Sequence, residues 1–185
     1  MRIKWFSLIR ITGLLLVLLY HFFQTIFPGG FFGVDVFFTF SGFLITSLLL
    51  EEFGKARQID LLGFFKRRFY RIVPPVVLMV LVTMPFTFLV RQDYVAGIGG
   101  QIAGVLGFMT NFYEMLTGGS YESQFIPHLF VHNWSLAVEV HYYILWGLAV
   151  WFLSKRSKSS SQLRGMVFLL SAGAFIISFF SMFIG

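Results

Sequence analysis

The chain contains no cysteine. That excludes disulfides, a thiolate nucleophile, and zinc or iron–sulfur sites built on sulfur ligands. Charge is the second scarcity. Asp, Glu, Lys and Arg make up only 12% of the 185 residues, and the acids number 8 against 14 Lys and Arg. So few charges cannot cover a water-facing surface when 57% of the residues are hydrophobic and 20% aromatic, which excludes a soluble domain. What the chain has instead is apolar length: 26 phenylalanines, a mean hydropathy of +0.81, and several runs near the ~20 residues that cross a bilayer core. The composition reads as an integral membrane protein with membrane lipid as its surroundings. The net charge of +6 reflects the Lys and Arg that gather in cytoplasmic loops, with no nucleic-acid partner expected. The opening "MRIKWFSLIR" is followed by too long an apolar run, and no small-residue cleavage site, so it reads as a retained span.

Five full spans are expected, together with one glycine-rich segment that is either re-entrant or a sixth span: an all-α polytopic helix bundle. The first span covers about residues 5–27 and stops at Pro28–Gly30; the second covers 31–50, an antiparallel hairpin through a three-residue turn. The polar stretch 51–71 follows and ends at Pro74–Pro75, a pair that favours a helix start, so the third span is placed at 73–90. Residues 95–113 are apolar but glycine-rich. A polar loop, 114–133, leads to a span at 134–153, then to "SKRSKSSSQLR" and a last apolar segment at 166–184.

Charge chooses between two topologies. If 95–113 crosses fully, Lys155, Arg156, Lys158 and Arg164 fall outside. If it is re-entrant, or pairs with the following loop, 13 of the 14 Lys and Arg are cytoplasmic and Arg91 is the exception. The positive-inside rule favours the second, with a cytoplasmic N-terminus. Glycines also suit close packing or a broken helix better than a lipid-facing span.

Ionisable residues inside a span are costly and mark function unless snorkelling or a local hydrogen bond explains them. Arg10 and His21 are 11 residues apart, about three helical turns, which puts them on one face and roughly 16 Å apart along the axis. Asp35, counted from the turn, falls at the depth of His21, where a carboxylate can orient an imidazole. Glu139, five residues after Trp134, falls at that same depth if its helix enters from outside. Its alternative is helix N-terminal stabilisation. Arg68 and Arg71 in "KRRFYR" share a face if helical and suit a pyrophosphate, though anchoring explains such clusters too. His128, His132 and His141 lack metal-ligand spacing, and no metal site is expected. No GxGxxG, Walker or G-x-S-x-G pattern is present, and "NWS" carries no weight as a sequon.

These residues coincide with four motifs. Arg10-x10-His21, "GVDVFFTFSGFLIT" (33–46), "FFKRRFYRIVPP" (64–75) and "HNWSLAVEVHYYILW" (132–146) resemble, in order, those of membrane-bound acyltransferase family 3, and within it the Gram-positive peptidoglycan O-acetyltransferases. Where many relatives carry a second acid and then glutamine, this chain has Val140 and His141. The family has about twice as many membrane helices and often an extracellular SGNH-type domain. Residues 1–185 therefore resemble the N-terminal part of the acyltransferase domain, with no soluble domain.

The resemblance implies a bacterial plasma-membrane enzyme that moves an acetyl group from cytoplasmic acetyl-CoA to a cell-surface glycan hydroxyl, that of peptidoglycan muramic acid, which confers lysozyme resistance. Arg10, Arg68 and Arg71 would face the phosphates of acetyl-CoA. His21 would be general base or transient acyl carrier, with Asp35 or Glu139 holding its tautomer. Two alternatives stand beside this reading: a proton-coupled transporter fragment using His21, Asp35 and Glu139, and an inactive truncated remnant.

Overall fold

A computed structural model of the chain describes residues 4–23, 25–89, 95–117 and 128–183; Arg91 and the loop 118–127 lie outside the described residues. The described residues hold seven α-helices and no strand: α1 (Lys4–Phe22), α2 (Gly33–Ala56), α3 (Leu61–Thr83), α4 (Ile98–Leu106), α5 (Thr110–Thr117), α6 (Trp134–Arg156) and α7 (Ser160–Ser181). α2, α3, α6 and α7 are long and apolar enough to cross a membrane, and α1 is 19 residues long. An all-α membrane bundle is the architecture that satisfies the backbone of so apolar a chain within each segment. The chain divides into two compact units, residues 1–48 and 49–185.

In the first unit, glycines bring α1 and the start of α2 together. A Cβ on Gly33 would lie 2.6 Å from the Gly13 carbonyl oxygen, and one on Gly30 would lie 2.4 Å from that of Leu16. Only a hydrogen fits there, so the two backbones approach as closely as small residues allow in membrane helix pairs. The connection is not a three-residue turn. Residues Pro28–Phe32 form a 3₁₀ helix packed back along α1, Tyr20 meeting Phe31 edge-on at 6.1 Å.

The second unit is organised by α3 and α6. Phe64 packs against Gly147, where an added Cβ would lie 3.0 Å from the Phe64 ring. Arg68 lies over the Tyr143 ring, and the Asn133 amide is 4.0 Å from Met79 Sδ. Ascending positions on α3 thus meet descending positions on α6, so the helices are antiparallel. Val76 and Val80 of α3 build the core with Val105 of α4 and Phe130, each no more than 6% exposed.

Two expectations are corrected here, and the path of one segment is narrowed. α3 begins at Leu61, not near residue 73. Asp60 caps it, its Oδ1 accepting from Gly63 N at 2.9 Å, and Pro74 and Pro75 lie within it. The cap supplies a stronger start than the prolines, whose missing N–H groups are accommodated inside a long apolar helix. The segment 95–113 is two short helices, of 9 and 8 residues and each about 13 Å long, which cannot cross a bilayer. Because α3 ends and α6 begins at the same end of the unit, the chain between them returns to the end it left. This is the path expected if 95–113 is re-entrant or pairs with the following loop. Finally, the spans end elsewhere than expected: α2 runs to Ala56, α6 to Arg156, and α7 starts at Ser160, where Ser159 accepts from Gln162 N.

Candidate active site

The site is built from α3 and α6 of the second unit. Starting α3 at Leu61 places Arg67 and Arg68 side by side in its second turn and Arg71 one turn on, and the three side chains have different surroundings. Arg67 Nη2 pairs with Glu52 Oε2 at 3.2 Å, tying the start of α3 to the end of α2. Arg71 is exposed. Arg68 turns toward α6 and is half-buried, its guanidinium carbon 5.6 Å from the Phe64 ring centroid and 5.4 Å from that of Tyr143. Its Nε is buried without a hydrogen-bond partner among the described residues. Aromatic faces attract the cation but leave its N–H donors unfilled.

Beneath Arg68 the chain of contacts continues. The Tyr143 hydroxyl donates to Glu139 Oε1, one turn back along α6. Tyr143 is buried, 7% exposed, so the carboxylate fixes the ring on which Arg68 rests. A cavity of about 620 Å³ opens alongside, lined by Phe65, Lys66, Arg68, Phe69, Ile72 and Tyr143 among others. Its walls are apolar apart from the two cations. An anionic group would satisfy the open Arg68 donors while an extended organic portion occupies the apolar volume.

The geometry shortens a distance expected from sequence. The resemblance groups Arg68 with Arg10 at the donor's phosphates, and the sequence sets Glu139 deeper, level with His21. Arg68 and Glu139 lie about one turn apart along α6, roughly 6 Å, joined through Tyr143. The reason is the earlier start of α3, which carries Arg68 two turns into the helix. Tyr143 itself escaped notice because nothing in a run of aromatic residues singles it out before its partners are known.

His21 and Asp35 belong to the first unit. His21 lies at the end of α1, its Nδ1 2.9 Å from the Val17 carbonyl oxygen. A carbonyl only accepts, so Nδ1 carries the proton and the neutral ring keeps its lone pair on Nε2. The carbonyl thus does the orienting work expected of a carboxylate. Asp35 is not at the depth of His21. Gly33 packs against Gly13, Leu16 and Val17, and Val36 and Phe37 pack against Gly13. Asp35 therefore lies level with the Gly13 turn, roughly 10 Å along the axis from His21. Folding of Pro28–Phe32 along α1 takes up the missing height. Arg10 belongs to α1, and its side chain lies outside the described residues.

Cations collect at one end of the second unit. Lys66, Arg67 and Arg68 lie in the first half of α3, Lys155 and Arg156 end α6, and Lys158 and Arg164 bracket the start of α7. Fold and site together define a polytopic α-helical membrane protein with an arginine-headed apolar cavity near its cationic end. Its family follows from comparison. Residues 3–185 match the model of the acyltransferase domain of family 3, and the chain belongs to that family. The O-acetyltransferase OatA of Staphylococcus aureus strain NCTC 8325 is 33% identical over 174 residues, 93% of this chain and 29% of its own length. OatA of strain COL gives the same values. A second strain COL protein, provisionally designated an O-acetyltransferase, is 35% identical over 136 residues, 74% of this chain and 22% of its own length. The chain thus spans under a third of these curated relatives. No solved structure matches it at comparable significance.

Proposed function

We propose that the chain is the donor-binding part of a membrane O-acetyltransferase that takes acetyl groups from cytoplasmic acetyl-CoA and delivers them to a hydroxyl of a cell-surface glycan, with muramic acid of peptidoglycan as acceptor. The observation that carries this reading is Arg68: a half-buried guanidinium with an open buried Nε, held by Phe64 and Tyr143 beside an apolar cavity. A permanent, planar cation with unused donors fits a phosphate oxygen. Arg71, one turn on, and Arg10 are the further phosphate ligands in this reading. Lys and Arg gather at the Arg68 end, which the positive-inside rule assigns to the cytoplasm. The same rule assigns the N-terminal segment, with Arg2, Lys4 and Arg10, to the cytoplasm.

Acetyl-CoA supplies an activated thioester. Toward it the chain provides binding at Arg68, an apolar wall that excludes water, and a transient acyl carrier at His21. The Val17 carbonyl accepts from His21 Nδ1, so Nε2 is the nitrogen that takes the acyl group. Glu139 acts through Tyr143, keeping the ring in place beneath Arg68. Asp35, roughly 10 Å from His21 along α1, is assigned no part in orienting the imidazole.

The test is acetyl transfer by the whole membrane protein in sealed vesicles. Arg68→Ala is expected to raise the KM for acetyl-CoA by about tenfold with a smaller change in kcat, as loss of a charge-assisted phosphate contact would. An unchanged KM removes Arg68 from the donor site.

A further inference from the structure

Away from Arg68, the second unit buries another polar cluster, at the end where α3 stops and α6 begins. Glu114 Oε2 of α5 lies 2.8 Å from His128 Nδ1, with 8% and 14% of the two side chains exposed. A carboxylate accepts, so Nδ1–H donates, and Nε2 is the ring nitrogen left to exchange a proton with a ligand. Tyr113 flanks the ring, the centroids 5.5 Å apart. Thr110 and Asn111 precede Glu114 by four and three residues and so neighbour it on the helix surface. Thr110 is 2% exposed, and its Oγ1 and Asn111 Oδ1 are buried without hydrogen-bond partners among the described residues.

The support beneath is satisfied. Gln101, 1% exposed, donates to the Ala96 carbonyl at 2.7 Å and accepts from Phe130 N at 3.4 Å. An ion pair that only braced the segment would need no open polar atoms beside it. Two such atoms next to an oriented imidazole are what a ligand with neighbouring hydroxyls would satisfy.

We propose that Glu114, His128, Thr110 and Asn111 form an acceptor-side acid–base site for a polyhydroxylated, carbohydrate-like substrate; this rests on the transferase reading above. His128 Nε2 takes the proton of the acceptor hydroxyl as its oxygen bonds to the acyl carbon. The bond from that carbon to His21 Nε2, which carries the acyl group, breaks, its electron pair returns to that nitrogen, and the His128 proton passes to the His21 ring. His128 is the catalytic residue for the acceptor hydroxyl, and His21 is the acyl carrier. Glu114 positions it, and Thr110 and Asn111 bind an adjacent hydroxyl.

The test uses the whole protein in vesicles, with acetyl-CoA and the soluble disaccharide N-acetylglucosaminyl-N-acetylmuramic acid. Glu114→Gln and His128→Gln are expected to lower transfer by about 100-fold with the KM for acetyl-CoA unchanged, and Thr110→Val to raise the KM for the disaccharide by about tenfold. Added imidazole is expected to restore His128→Ala by at least about fivefold, which a bracing role would not allow. Transfer within about threefold of the unsubstituted protein in both glutamine variants overturns the site, as does a folded His128→Ala that imidazole leaves inactive. Nitrogen NMR of histidine-labelled protein reads the site without turnover. The disaccharide is expected to shift the His128 Nε2 resonance, and not in Thr110→Val. An unshifted resonance overturns the site. A shift in a protein that moves nothing from acetyl-CoA upholds it and counts against the transferase reading.

Discussion

Arg68 occupies a different environment from the cations beside it in the sequence. Arg67 is paired with Glu52 and Arg71 is exposed, whereas Arg68 rests between two aromatic rings with its Nε open. A lysine keeps the charge but not the fork, so Arg68→Lys is expected to recover less than half of the affinity lost in Arg68→Ala, measured as the KM for acetyl-CoA. Tyr143→Phe keeps the ring and removes only the hydroxyl that donates to Glu139. Its cost is expected to be about 1–2 kcal/mol in kcat/KM, and Glu139→Gln, which still accepts from Tyr143, should cost less. A large loss in Glu139→Gln with Tyr143→Phe silent would give the carboxylate a role of its own. At this scale the sequence was partly legible. Span composition marked Glu139 and His21 as exceptions to an apolar rule, and the cluster "KRRFYR" marked Arg68. It did not reveal Tyr143, Glu114 or His128, whose partners lie at least four and as many as 75 residues away and meet only through the fold.

At the scale of elements, the α1–α2 pair and the start of α3 decide where the site residues fall. Gly30 and Gly33 meet the α1 backbone so closely that any side chain must push the helices apart. Gly33→Val is expected to lower the thermal unfolding midpoint in detergent, at a cost of about 1–3 kcal/mol, while Gly54→Ala, with nothing near its Cβ position, leaves the midpoint nearly unchanged or raises it. Equal midpoints for the two would mean that the glycine contact contributes no stability. Element type was readable throughout, because apolar runs of this length can only be helices in lipid. Boundaries were not. "VPP" at 73–75 and Asp60 both signal a helix start, and the sequence alone does not say that the cap 13 residues earlier prevails. The earlier start puts Arg68 two turns inside α3, level with Tyr143. In the same way the 3₁₀ segment Pro28–Phe32 displaced Asp35 from the depth of His21.

For the whole molecule, the antiparallel α3 and α6 make the chain between them leave and return at one end, and the cations collect at the other. The absence of native cysteine makes this testable without background labelling. In sealed right-side-out vesicles an impermeant thiol reagent is expected to label Ser120→Cys at once and Ser157→Cys only after permeabilisation, the reverse pattern inverting the topology. With orientation in hand, the most direct measurement is transfer of radiolabelled acetyl from acetyl-CoA, supplied on the cytoplasmic side, to peptidoglycan on the other. The unsubstituted protein is expected to label the glycan with saturation in acetyl-CoA. Arg68→Ala should move the half-saturation point up by about tenfold, and His21→Ala should lower transfer at least about 100-fold while still binding acetyl-CoA. Near-normal labelling by His21→Ala, or saturation of Arg68→Ala at the unsubstituted concentration, would contradict the assignment of donor site and acyl carrier.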